Sequence, residues 1–138
     1  MRYAVVWIAF GEVLRMPLKT TQVIPIFRIF DVDKAKEFYC GYLGFKVDWE
    51  HRFEESTPLY MQVSLGDFVL HLSEHYGDGC PGSTVFVKVT GLEEYHRELT
   101  EKNYKYLRPG IGDAPWKAKC VNVVDPFGNR IRFNEYLQ

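Results

Sequence analysis

One ordered series of hydrophobic patterns occurs twice along this chain, and that repetition limits the possible folds more than any other feature. From Gln22, the run Val23-Ile24-Pro25-Ile26-Phe27-Arg28-Ile29 is β-branched and aromatic and predicts a strand, with Pro25 placing it at an edge or on an unpaired stretch. Asp31 stands where it can cap a helix carrying Ala35, Phe38, Tyr39, Tyr42 and Leu43 at helical spacing, and Gly44 ends that helix. Phe45, Val47 and Trp49 then alternate with Lys46, Asp48 and Glu50, the pattern of a half-buried strand. Two further runs, Leu59 to Leu65 and Phe68 to Ser73, are joined by Gly66-Asp67, a two-residue hairpin signal. The order is strand, helix, strand, strand, strand.

After the Gly-rich loop from Glu74 to Ser83 the order returns. Thr84 to Val89 predicts a strand. Thr90 and Glu93 have capping-box spacing before a helix with Leu92, Tyr95, His96 and Leu99 on one face. Tyr104 to Leu107 predicts a short strand, and Lys119 to Val124 and Arg130 to Tyr136 flank the turn Asp125-Pro126-Phe127-Gly128-Asn129. Neither half has strands enough to cover its own sheet, so the two must pack as one unit. The expectation is an α+β fold of two βαβββ modules, about 22–73 and 84–136, within a single domain spanning 22–138. Residues 1–21 are expected to form an N-terminal extension, its first 15 residues peripheral to the fold. The apolar segment Tyr3 to Phe10 imitates a signal peptide only weakly, since Glu12 and Arg15 follow at once without a small-residue cleavage pattern; Met16 offers a second start.

Composition narrows the partners. A chain of 138 residues can bury about two thirds of its unfolded surface. The net charge of −1, from scattered basic residues, gives nothing to attract a nucleic-acid backbone. No apolar run approaches the roughly 20 residues of a membrane span. Cys40, Cys80 and Cys120 lack CxxC spacing and read as reduced thiols of a cytoplasmic protein. Aromatic residues make up 16% of the chain, enough to fill a core and still line a binding cleft. No nucleophile motif or dinucleotide fingerprint occurs, and Gly77, Gly79 and Gly82 lack the spacing of a phosphate loop.

Asp31-Val32, Phe38-Tyr39 and Leu43-Gly44-Phe45 resemble the first module of the vicinal-oxygen-chelate superfamily, and Asp125 to Arg130 resembles its Asp-Pro-x-Gly-Asn turn before the last strand. Trp49 to Phe53, Leu70 to His75, Arg108-Pro109-Gly110 and Ala114-Pro115-Trp116 resemble the bleomycin-resistance branch. The resemblance covers about residues 22–136. It implies the glyoxalase/bleomycin-resistance fold, with two βαβββ modules whose mixed sheets curve around a cleft. Enzymes of the superfamily hold a divalent metal there; the corresponding positions are Ile24, Thr84 and Arg132, which offer an aliphatic chain, a hydroxyl and a cation instead of imidazole or carboxylate.

With Ile24 toward the cleft, strand alternation brings Ile26 and Arg28 there and sends Val23, Phe27 and Ile29 under the helix. Thr84 brings Phe86 and Lys88; Arg132 brings Arg130 and Asn134. On the hairpin, Met61, Val63, Leu65, Phe68, Leu70 and Leu72 are assigned to the core, leaving Tyr60, Gln62, Val69 and His71 for the cleft. Trp116 could close one end. The candidate ligand-binding residues are therefore Trp116, Tyr60, Gln62, His71, Arg28, Phe86, Lys88 and Arg132, with no catalytic residue, metal or cofactor. Each has a structural alternative: core or rim for the aromatics, a satisfied histidine at position 71 or a weaker cluster of His71, Glu74 and His75, and ion pairs for the arginines. Bleomycin is cationic, so these arginines argue against a tight fit to it, while Glu50, Glu54, Glu55 and Asp113 could compensate from loops. The reading is a metal-free protein that binds and sequesters a bleomycin-type antibiotic or related metabolite, conferring resistance. The branch implies a homodimer whose partner completes the cleft. The alternatives are a metal-dependent lyase, isomerase or dioxygenase of the same superfamily, and a small binding or immunity-type module without a drug role.

Overall fold

The computed structural model describes residues 4–7 and 13–137. Two short strands, β1 (Ala4–Trp7) and β2 (Val13–Met16), pair antiparallel in a sheet of their own. The expected N-terminal extension thus contains a hairpin, hydrogen-bonded into neither larger sheet. Residues 1–3, 8–12 and 138 lie outside the described residues.

The first module runs β3 (Ile26–Arg28), α1 (Val32–Lys36), a π-helical stretch (Glu37–Tyr42), β4 (Lys46–His51), β5 (Tyr60–Leu65) and β6 (Phe68–Ser73). The second runs β7 (Thr84–Lys88), α2 (Leu92–Glu101), β8 (Gly112–Ala114), β9 (Ala118–Val124) and β10 (Arg130–Tyr136). The sheets have orders β3-β6-β5-β4 and β7-β10-β9-β8; in each, the first strand lies parallel to the last and the other pairings are antiparallel. Both modules therefore have the same βαβββ topology, as the repeated pattern requires.

Local chemistry explains most boundaries. Asp31 caps α1 by accepting from Lys34 N at 2.9 Å. The wide π-turn, closed by Leu43 N donating to Phe38 O at 2.9 Å, lets Phe38, Tyr39, Tyr42 and Leu43 all reach the core. Gly66 takes φ +61, the positive angle that a two-residue type II′ hairpin turn needs at its first central residue.

One continuous core joins the modules. Phe27, Ile29, Met61, Val63, Leu70 and Leu72 bury the inner face of the first sheet, while Val121, Val123, Ile131 and Phe133 bury that of the second. Each fully buried apolar side chain of this size is worth about 1.5–3 kcal/mol. Leu65 and Phe68 are only half-buried, and Phe68 meets Phe133 edge-on across the junction. Hydrogen bonds also cross it: Tyr95 Oη donates to Leu43 O at 2.7 Å, and Lys102 Nζ to Tyr42 O at 2.6 Å.

The tightest crossing is at Asp125. This carboxylate is 5% exposed. It accepts from Tyr39 Oη at 2.7 Å, from Phe127 N and Asn129 N at 2.8 Å, and from Asn129 Nδ2 at 2.9 Å. Asn129 Nδ2 also donates to Arg28 O at 2.8 Å, so the Asp-Pro-Phe-Gly-Asn turn of the second module grips the helix and first strand of the first.

Four expectations are corrected. The first strand begins at Ile26, and Val23 is 79% exposed rather than packed under the helix; Pro25 has no N–H, but its carbonyl accepts from His71 N. The capping box does not form: the N-cap is Gly91, in a left-handed conformation at φ +75, and Glu135 on β10 accepts from Gly91 N and Leu92 N. A carboxylate from the sheet thus replaces the local one. Tyr104–Leu107 is not a strand. Tyr104 instead stacks on Tyr42 with centroids 4.5 Å apart, and the edge of the sheet beside β9 is taken by β8 further along. Finally, β4 has an irregularity between Val47 and Trp49 that breaks its alternation, so Val47 and Trp49 are 37% and 42% exposed.

Candidate functional site

Each large sheet buries one face in the core and leaves the other open. On the first sheet the register aligns Ile26, His71, Gln62 and Trp49 in one row across β3, β6, β5 and β4, with Arg28, Ser73, Tyr60 and His51 in the next. Tyr60, Gln62 and His71 thus share a face, as alternation predicted, with Val69 beside them in the adjacent row. Arg28 reaches its edge and lies 4.6 Å from the centre of the Phe30 ring.

The bulge in β4 sets both Asp48 and Trp49 opposite Gln62 and turns both toward this face. Trp49 stacks parallel to Tyr60 with centroids 6.0 Å apart, and meets His71 edge-on at 5.3 Å. Beneath the rings runs a directional hydrogen-bond chain. Gln62 Nε2 donates to Asp48 Oδ2 at 3.0 Å, so the Gln62 carbonyl oxygen faces His71. His71 Nε2 must then carry its hydrogen and donate to that oxygen at 3.0 Å, while Nδ1 accepts from Tyr60 Oη at 2.7 Å. Burial of the imidazole holds its pKa below the ordinary histidine value, which favours this neutral form. Asp48 is held below the usual carboxylate range by hydrogen bonds from Gln62 and then Ser64. The tyrosine oxygen keeps its lone pairs for a ligand donor, and the Trp49 indole offers a flat apolar surface.

The second sheet is built differently. Its rows are Thr84, Arg130 and Val124; then Phe86, Arg132 and Asn122; then Lys88, Asn134 and Cys120. Phe86, Lys88 and Arg132 therefore share one open face, again as alternation predicted. Trp116 sits in the turn between β8 and β9, where Lys117 adopts φ +59 and its N–H bonds Ala114 O. The turn folds the indole back so that Nε1 donates to Asn134 Oδ1 at 3.2 Å and the ring lies 6.5 Å from Phe86. Trp116 is 49% exposed and so lies at the rim of the face, outside the core.

Trp49 and Asp48 were not anticipated. Regular alternation placed Trp49 inward, and no Gly or Pro marks the bulge that turns it out. The expected residues form two separate groups: Tyr60, Gln62, His71 and Arg28 on the first sheet, and Phe86, Lys88, Arg132 and Trp116 on the second. Of two cavities, of about 450 and 550 Å³, the first lies beside Lys34, Tyr104 and Asp125, away from these residues, and the second, beside Phe68, Tyr95 and Phe133, is lined by one of them, Lys88.

The donor set does not fit a divalent metal. Ile24, Thr84 and Arg132 supply neither imidazole nor carboxylate, and Glu74 turns away from His71 to accept from Leu59 N at 3.0 Å. Among the described residues no three His, Cys, Asp or Glu side chains gather as ligands would. Nor is any helix among them long and apolar enough to cross a membrane.

Known proteins share this architecture. A bleomycin resistance protein from Geobacillus stearothermophilus is 23% identical over 135 residues, covering 85% of this chain and 98% of that protein. Among solved structures, a bleomycin-binding protein complexed with bleomycin superposes with a TM-score of 0.64 at 22% identity, covering 86% of this chain and 100% of that one. An antibiotic-binding protein from a Streptomyces species superposes with a TM-score of 0.67 at 19% identity, covering 88% and 99%. Residues 7–138 match the family described as glyoxalase superfamily protein, and with two βαβββ modules of identical strand order the chain belongs to the glyoxalase superfamily.

Proposed function

We propose that this protein binds a planar, hydrogen-bonding small molecule on its open sheet faces and sequesters it unchanged, acting as a cytoplasmic resistance protein against a bleomycin-type antibiotic or a related metabolite. One observation carries the reading: the first sheet presents the exposed Trp49 ring and the half-buried Tyr60 ring over a directional chain of polar groups, a surface suited to stacking and hydrogen bonding rather than to bond cleavage. The bleomycin resistance and bleomycin-binding relatives support the ligand class. Because neither cavity includes Tyr60, Gln62, His71, Phe86 or Arg132, the complete groove needs a second surface. A second copy of this chain would supply it, so the binding unit is a homodimer that sets one face against another.

Calorimetric titration with bleomycin, followed by mass spectrometry of the recovered antibiotic, tests the reading. Binding with the antibiotic unchanged, by protein carrying far less than one equivalent of Zn, Ni, Mn or Fe, is the expected result. An antibiotic that emerges chemically altered, or a stoichiometric metal whose chelation abolishes binding, would replace it with an enzymatic function.

A further inference from the structure

We infer that the open face of the second sheet selects aromatic anions, small planar rings bearing a carboxylate or sulfonate. The inference rests on the binding function proposed above and narrows its ligand class. Its basis is the distribution of charge on that face. Alternate residues of β7 and β10 point the same way, and three of them are cations: Lys88, Arg130 and Arg132. None forms a salt bridge among the described residues.

Three nearby acids are engaged elsewhere. Glu135, one step out of phase with Arg132 and Asn134, caps α2 through two backbone N–H groups. Asp113 is held by Lys119 at 2.6 Å. Asp125 is buried under its four donors. The first sheet differs: its Asp48 keeps its negative charge while accepting from Gln62 and Ser64. A cationic ligand on the second face therefore finds none of these three carboxylates free.

The same rows supply an aromatic platform. Phe86 lies directly across from Arg132 and is 46% exposed, and the Trp116 ring stands tilted at 51° beside it. A flat ring lying on Phe86 and edged by Trp116 would bring a substituent within reach of the Arg132 guanidinium, whose planar fork matches a carboxylate. Asn122, on the other side of Arg132, can donate to the same group.

The test is calorimetric titration of the full chain with three probes of one shape: naphthalene-2-carboxylate, its neutral carboxamide and 2-naphthylmethylamine. The carboxylate should bind at least about tenfold more tightly than the amide, with the amine weakest, and added NaCl should shrink the difference. Arg132→Gln, at an exposed position, should keep its melting temperature and its affinity for the amide but lose the carboxylate preference. Phe86→Ala should weaken both probes together. Equal binding of all three probes, no binding of any, or a preference that survives Arg132→Gln overturns the inference. Bleomycin titrated into the same preparation separates the two claims. Bleomycin bound without anion preference refutes this inference alone, while carboxylate bound without bleomycin upholds it and refutes the bleomycin-type ligand.

Discussion

Replacing Asp125 with Ala should be among the most damaging single changes away from the binding faces. The carboxylate is 5% exposed and receives four hydrogen bonds between 2.7 and 2.9 Å. A hydrogen bond to a charged group contributes about 1.5–3 kcal/mol, but removing a buried charge also relieves its desolvation, so the four do not add. The truncation strands the hydroxyl of Tyr39, which is fully buried, and two turn amides. A net loss of about 4 kcal/mol follows, which for a chain of this length lowers Tm by about 12–16 °C. Urea unfolding at neutral pH, followed by circular dichroism, measures it. Tyr39→Phe removes one of the four bonds and should cost about 1.5 kcal/mol in the wild type but close to nothing beside Asp125→Ala. An Asp125→Ala cost under about 1 kcal/mol, or a Tyr39→Phe cost equal in both backgrounds, would mean that Asp125 does not clamp the modules.

Trp116→Ala should leave the melting temperature nearly unchanged, since the indole is half exposed, yet weaken ligand binding by about 2 kcal/mol, roughly thirtyfold; a large stability loss would make it a packing residue instead. Sedimentation velocity at micromolar concentration should show a dimer, and a clean monomer would mean that one chain builds the whole site. Burial, then the charge of Asp125 and the bond to it, raises the Tyr39 pKa well above 10.0, so stability should hold below that pH and fall as pH rises past it, where the unfolded chain gives up its proton first. Urea midpoints across that range should fall less steeply in Tyr39→Phe; an identical slope would remove Tyr39 as the source.

The repeated order of elements was legible because apolar alternation and helical spacing are local signals, and so was the sharing of faces by Tyr60, Gln62 and His71 or by Phe86, Lys88 and Arg132. What escaped depends on distant partners. Glu135 replaced the predicted Glu93 cap across more than forty residues of chain, a competition no local window contains. Tyr104 reads as a strand residue by propensity, but it finds a better surface on Tyr42. The bulge that turns Trp49 outward carries no Gly or Pro to announce it, so a row of the candidate site was hidden.

The clamp around Asp125 has a consequence for how such a protein can change over time. The densest set of polar contacts between the modules is gathered in one turn with one tyrosine and one backbone carbonyl, while Phe86, Arg130 and Arg132 stand on exposed strand positions of the second sheet. Substitutions at those exposed positions cost little stability, since surface changes away from buried networks fall mostly within about 0.5 kcal/mol. A lineage can therefore exchange arginine for acid, or one aromatic ring for another, without first acquiring compensating mutations in the core. Selection by a new ligand would act on the second face almost independently of the scaffold, and drift in specificity there would leave the junction untouched.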